Sequence, residues 1–347
     1  MSIDLRSRIA IAGAGSIGCY VGGCLAAAAR DVTLLARETL AEGCSRHGLR
    51  FSSLDGDDQI LNAGTISIST DPGSVFKGTD VVLVTVKCRD TRKIAQLIGE
   101  NATKDLVVVS LQNGVDNTRI LREVLGGRHR VLAGTVTFNV VQTRGDSEAP
   151  RVHRASTGTV LIESGVQGLR ELLDVPCLAI KECDEIAPVL WAKLLLNLNN
   201  ALNALSGLPL AAELSDRRWR QLLRAQMREG LAVLKAAGIR PGRIEGIPPR
   251  LTVFALGLPD PLFALAARRM LAIDPAARSS MWEDLEARRS TEIDQIQGEI
   301  VRLADEFRVP APLNRRVMQL IKAAERAQQG SPRLSPETVG ETAAAAE

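Results

Sequence analysis

The apolar positions of this chain change period about halfway along it. Up to about residue 163 they come as short runs: Arg8-Ile9-Ala10-Ile11-Ala12, Val32-Thr33-Leu34-Leu35-Ala36, Val81 to Val86 and Leu106 to Leu111. Continuous apolar runs of this length predict strands covered on both faces, as in a parallel sheet. Gly13-Ala14-Gly15-Ser16-Ile17-Gly18 and a helix-like run to about Ala29 join the first two runs into one βαβ unit. A further strand is predicted around 60–69, helices near 91–100 and 117–125, and a strand-rich stretch over 131–163 turning at Arg144-Gly145-Asp146. From about 185 the period becomes helical, over 186–205, 211–238, 260–272 and, with interruptions, 281–325, while Pro and Gly cluster at 238–249. Residues 329–347 are rich in Pro, Ser, Thr and Ala without a core pattern, which predicts a disordered tail. The expected fold is α/β: an N-terminal Rossmann-type doubly wound sheet over 1–184, followed by an all-helical substrate domain over 185–328.

Composition narrows the function classes. The 347 residues are enough for two domains, and 45% hydrophobic with 24% charged is an ordinary soluble balance. A net charge of +3 without a basic tract argues against a nucleic-acid partner. No apolar run approaches the ~18 residues of a membrane span, and Met-Ser-Ile-Asp-Leu-Arg lacks the apolar core of a signal peptide, so a cytoplasmic protein is expected. The six cysteines form no CxxC pair, which predicts reduced, mostly buried thiols and no metal site. Long apolar helices in the second domain allow a homodimer.

The Gly-rich turn follows a strand and opens a helix, the context in which it binds a dinucleotide. Gly13 permits the tight turn, Gly15 lets the backbone approach a pyrophosphate, and Gly18 lets the helix pack close to the strand. The phosphate then sits at a helix N-terminus, over Ala14, Ser16 and Ile17. A carboxylate after the second strand would take the ribose 2′-OH of NAD; Arg37 stands there instead and suits a 2′-phosphate, so NADPH is favoured. The missing acid also argues against a methyltransferase. The competing reading of Arg37 is a solvated surface residue, with Glu38 beside it. Lys87 and Gln112-Asn113-Gly114 end two central strands, where ligands of doubly wound sheets collect. A solvated lysine and a turn asparagine are the alternatives.

The second half carries candidate chemistry. On the helix from Trp191 to Asn200, Lys193, Asn197 and Asn200 share a face at i, i+4 and i+7 amid Leu, Ala and Trp. A buried lysine with two amides beside it needs a polar partner, and a small polar ligand would serve. A carbonyl reductase needs a proton donor, and no histidine lies beyond His153. Burial lowers a lysine pKa, which makes Lys193 the candidate acid; otherwise its amine snorkels to water. Ser280 with Glu283 reads as a capping box, and such a helix start also suits a substrate carboxylate. Glu292 lies about 18 Å further on along a straight helix, so both reach one ligand only if the chain bends, for which Arg288-Arg289-Ser290 is the candidate place. Alone, Glu292 reads as a surface carboxylate.

Taken together, these residues resemble the ketopantoate reductase family over about residues 8–325. The resemblance rests on the Gly13–Gly18 turn, Val86-Lys87, Gln112-Asn113-Gly114, Trp191 to Asn197, and Ser279-Ser280-Met281 with Thr291-Glu292-Ile293-Asp294. It implies NADPH-dependent reduction of 2-dehydropantoate to (R)-pantoate, a step toward pantothenate and coenzyme A. It further implies Lys193 as proton donor, Asn197 and Ser280 on the substrate, Glu292 at the substrate–cofactor junction, Asn113 touching both ligands, and Arg37 and Lys87 on the adenosine phosphate. The family's second substrate asparagine falls at Ala201, with Asn200 one earlier and able to fill the role; another falls near Leu210, and a cofactor-contacting alanine near Val140. The shifted asparagines leave room for another branched 2-oxoacid as substrate. A non-enzymatic NADPH sensor on the same fold is the reading from a different class.

Overall fold

The computed structural model describes residues 3–54, 56–143, 149–266, 274 and 276–341. Two compact units make up the chain, Met1–Ile186 and Ala187–Glu347.

In the first unit the strands are β1 (Ile9–Ala12), β2 (Val32–Leu35), β3 (Leu49–Ser53), β4 (Asp58–Leu61), β5 (Ser67–Ser69), β6 (Val81–Val84), β7 (Val107–Ser110), β8 (Arg130–Val136), β9 (Val140–Thr143), β10 (Arg151–Arg154), β11 (Val160–Glu163) and β12 (Ile180–Cys183). Its helices are α1 (Ser16–Ala27), α2 (Glu38–His47), α3 (Pro72–Phe76), α4 (Thr91–Asn101), α5 (Asn117–Leu125) and α6 (Leu169–Leu173). The main sheet runs β12-β11-β8-β7-β6-β1-β2-β5, parallel except where β11 meets β8 antiparallel. Every residue of β1, β6 and β7 is buried, as expected for strands covered on both faces. The chain order reverses at β1, between β2 and β6, so the carboxyl ends of these strands flank the topological switch point.

A second sheet, β4-β3-β10-β9, packs against α1. That explains why α1 is apolar nearly all round: Gly18 to Leu25 are all buried, with Tyr20 edge-on to Phe51 and Phe138. The strand expected over 60–69 is two strands in different sheets. A turn at Asn62–Thr65, with Gly64 at φ 84°, separates them. The expected turn at Arg144-Gly145-Asp146 lies outside the described residues. None of the six cysteines forms a disulfide among the described residues, and five are buried.

The second unit is helical: α7 (Ile186–Asn197) at the boundary, then α8 (Asn199–Ser206), α9 (Leu210–Ser215), α10 (Arg217–Ala236), α11 (Pro249–Leu256), α12 (Asp260–Ala266), α13 (Ser280–Glu286), α14 (Ile293–Phe307), α15 (Pro312–Ala327) and α16 (Pro336–Gly340). The stretch expected as a helix to 272 is described only to Ala266. Asp216 splits the predicted 211–238 helix by capping α10 through Arg218 N–H. Long α10 is the hub, burying Trp219, Leu223, Met227, Gly230, Val233 and Leu234 along one stripe. Glu229 on it accepts the Leu313 and Asn314 N–H groups, each at 3.0 Å, satisfying donors at the start of α15. No helix among the described residues is long and apolar enough to cross a membrane.

Over 329–341 the chain departs from the disordered tail expected for 329–347; residues 342–347 lie outside the described residues. Leu334 N–H bonds to Leu205 O at 2.8 Å, Ser335 caps α16 through Thr338 N–H at 3.2 Å, and Val339 is fully buried. Its composition is polar, but the few contacts it makes are tertiary ones. Ending the chain at Gly330 should cost about 2 kcal/mol of that burial, or about 4–8 °C of melting temperature. An unchanged melting temperature would show that the tail adds nothing.

Candidate active site

In the first unit, β1 delivers the chain into a turn that only glycine can make. Gly13 sits at φ 116°, where a Cβ would lie 2.6 Å from Val86 Cγ1. The turn is tied on both sides: Ala14 N–H donates to Leu35 O at 3.0 Å, and Thr85 Oγ1 donates to Gly13 O at 2.6 Å. At Gly18 a Cβ would stand 2.1 Å from Gly13 O, so the first turn of α1 lies directly on the loop. A Cβ at exposed Gly15, by contrast, would meet no protein atom within 4 Å. The result is a cradle at a helix N-terminus, with the backbone N–H groups of Ser16 and Ile17 opening α1, which fits a dinucleotide pyrophosphate.

Arg37 follows β2 as the residue before α2, exposed, and its guanidinium makes no ion pair with Glu38. Lys87, half-buried, ends the β6 loop and precedes a short turn over Cys88–Asp90. Asn113 is half-buried past β7, its carbonyl accepting from Asn117 Nδ2 at 2.5 Å. Gln112 turns inward rather than toward a ligand: its Nε2 donates to Val86 O at 3.0 Å and Thr91 Oγ1 at 2.8 Å. Gln112, Thr91 and Asn117 therefore lock the Lys87 and Asn113 loops together, and only the first stood out in the sequence. Val140 lies in β9 with its side chain in the hydrophobic core, so it offers a ligand no polar side-chain group.

In the second unit Lys193 and Asn197 sit one turn apart on α7, both half-buried. The helix expected to run on through Asn200 is interrupted at Leu198, whose carbonyl accepts Gln297 Nε2 at 2.9 Å. Asn200 therefore belongs to α8, half-buried, just past Leu198, whose own backbone stays in the helical region. Burial lowers the Lys193 pKa to about 8, against the opposing pull of the Glu292 carboxylate. The two residues lie close enough to interact, and Glu292 is only 6% exposed. It ceases to be a surface carboxylate because the chain bends: α13 ends at Glu286, Arg288 takes φ 52°, and α14 begins after Glu292.

The serine pair needs a correction of one residue. The residue capping α13 is Ser279, which is extended and accepts Trp282 N–H at 3.2 Å, while Ser280 is already helical. The Ser280–Glu283 capping box is therefore not formed. Tertiary bonds choose the register: Ser279 N–H donates to Asn203 Oδ1 at 2.8 Å and Ser279 Oγ donates to Asn200 O at 2.9 Å. Ser280 is half-buried and takes no part in the cap. Asn203, fully buried, does not stand out in the sequence, where it shares a helix face with Asn199, Asn200 and Ser206.

A glycine-rich turn at a Rossmann switch point, with a lysine lowered to about pKa 8 beside a buried carboxylate in a helical unit, is what a pyridine-nucleotide oxidoreductase needs. Family models bear this out over most of the chain: ketopantoate reductase PanE/ApbA matches residues 9–165, and its C-terminal model residues 185–325. The chain belongs to the ketopantoate reductase family. It is 28% identical to the 2-dehydropantoate 2-reductase of Halobacterium salinarum, over 92% of this chain and 99% of that one. A solved PanE/ApbA family ketopantoate reductase from Ralstonia eutropha JMP134 is 33% identical with a TM-score of 0.75, covering 93% of this chain and 99% of that one. A D-mandelate dehydrogenase solved with NADH and anilino(oxo)acetate shares the fold at 20% identity and a TM-score of 0.74, over 92% of this chain and 99% of that one.

Proposed function

We propose that the protein reduces 2-dehydropantoate to (R)-pantoate with NADPH. The observation that carries this reading is Lys193, lowered to a pKa of about 8 by burial and facing the buried Glu292. The Gly13–Gly18 cradle would hold the pyrophosphate, Arg37 and Lys87 the 2′-phosphate, and Asn113 the nicotinamide end. When bound there, NADPH would supply the hydride for the C2 carbonyl carbon. Lys193 Nζ gives its proton to the carbonyl oxygen, so the ketone becomes a secondary alcohol and the neutral amine recovers a proton from water. Asn197 and Asn200 bond the oxygens of the oxoacid, and the Ser280 hydroxyl donates to its carboxylate. Glu292 keeps Lys193 charged until the proton moves.

Oxidation of NADPH on addition of 2-dehydropantoate tests the reading. A strong preference for a different branched 2-oxoacid would replace it with the second reading, which Ala201 and Leu210 at the family's asparagine positions favour. Arg37→Ala should raise the KM for NADPH about 10- to 100-fold, the loss of a charge-assisted bond, and leave that for NADH alone. Equal changes for both cofactors would refute the role of Arg37.

A further inference from the structure

We propose that Asn203 and Glu213 are positioning residues of the oxoacid site, acting through Ser279 on Ser280 and Asn200; this rests on the reading that those two residues contact the oxoacid. Asn203 has no exposed surface, and each end of its amide is used. Its Oδ1 accepts Ser279 N–H at 2.8 Å, while Nδ2 donates to Glu213 Oε2 at 2.6 Å and to Leu208 O at 2.9 Å. Ser279 in turn holds Asn200 O through its hydroxyl and caps α13, which fixes Ser280 as the first helical residue. The start of α13 and the Asn200 turn of α8 are thus pinned to one buried amide.

Glu213 decides which way that amide faces. Its carboxyl accepts from Nδ2, so Oδ1 is turned toward Ser279. Glu213 has no exposed surface, and burial pushes its pKa up to about 8 against bonds from Asn203 and Asn199, so it keeps its proton at neutral pH. A neutral acid costs far less to bury than a carboxylate, which suits a carboxyl whose Oε1 is enclosed without a hydrogen-bond partner. Such a cluster is sensitive to losing any one member.

Asn203→Ala and Glu213→Leu test the assignment, with Glu213→Gln as the conservative variant that keeps shape and an acceptor oxygen. Both disruptive variants should raise the oxoacid KM about tenfold, with a smaller change in kcat and none in NADPH affinity; Glu213→Gln should stay near wild type. Amide exchange should quicken in peptides spanning 279–286 more than elsewhere in the second unit. This second readout needs no turnover: if the wild type reduces no oxoacid, the functional reading fails while exchange still judges the network. Should Asn203→Ala not fold, Glu213→Leu carries both arms. Unchanged exchange over 279–286, or loosening spread evenly through the unit with unaltered KM, would overturn the proposal.

Discussion

Lys193→Ala should lower kcat about 10²- to 10⁴-fold, the range for removing a positioned general acid, while NADPH still binds to the separate glycine cradle. Lys193→Arg should not restore the rate, because a guanidinium keeps its proton at any working pH. The pH profile follows from the sign of the shift. Reduction needs the ammonium form, and the Lys193 pKa is brought down to about 8. The rate of reduction should therefore be high near pH 7 and fall as pH rises through about 8, while the reverse oxidation gains over the same range. Glu292→Gln removes the charge that holds this pKa up, so the descending limb should move to lower pH. Near-normal turnover by Lys193→Ala, or a flat profile from pH 7 to 10, would remove lysine as the acid.

Gly18→Val should raise the NADPH dissociation constant about 100-fold or more, an effect of about 3 kcal/mol. The obstacle is backbone: a Cβ at residue 18 would stand 2.1 Å from Gly13 O and 2.8 Å from Thr85 Oγ1. The carbonyl cannot swing away without breaking the turn, so α1 must lift off it and its N-terminus leaves the pyrophosphate position. Gly15→Ala is the informative contrast. Its Cβ meets no protein atom, so the fold should be untouched, and any loss of affinity reports collision with the nucleotide. Fluorescence titration with NADPH measures both; an unchanged constant for Gly18→Val would mean the cradle does not bind the cofactor.

The glycine turn was legible because its chemistry is local. A strand, a positive-φ glycine and a helix start within a few residues of one another need no distant partner to be recognised. The same holds for the all-buried strands β1, β6 and β7, whose unbroken apolar runs already require cover on both faces. Boundaries set from a distance were misread. Ser279 rather than Ser280 caps α13 because Asn203 takes the Ser279 N–H, whereas the only local signal, Glu283, favours Ser280. The tail was read as disordered because its composition has no period, yet it is fixed by a bond to Leu205 and by burial of Val339.

By itself the sequence determined the class of each half, the dinucleotide turn, and the residue types able to do acid chemistry, because these depend on side-chain periods and near-neighbour geometry. The tertiary structure decided what those residues can do. It carries Glu292 back to Lys193 through the bend at Arg288, desolvates the lysine until its pKa falls to about 8, and encloses Glu213 with Asn203. Electrostatics and desolvation depend on what surrounds a group in space, and along the chain Glu292 stands about a hundred residues from Lys193.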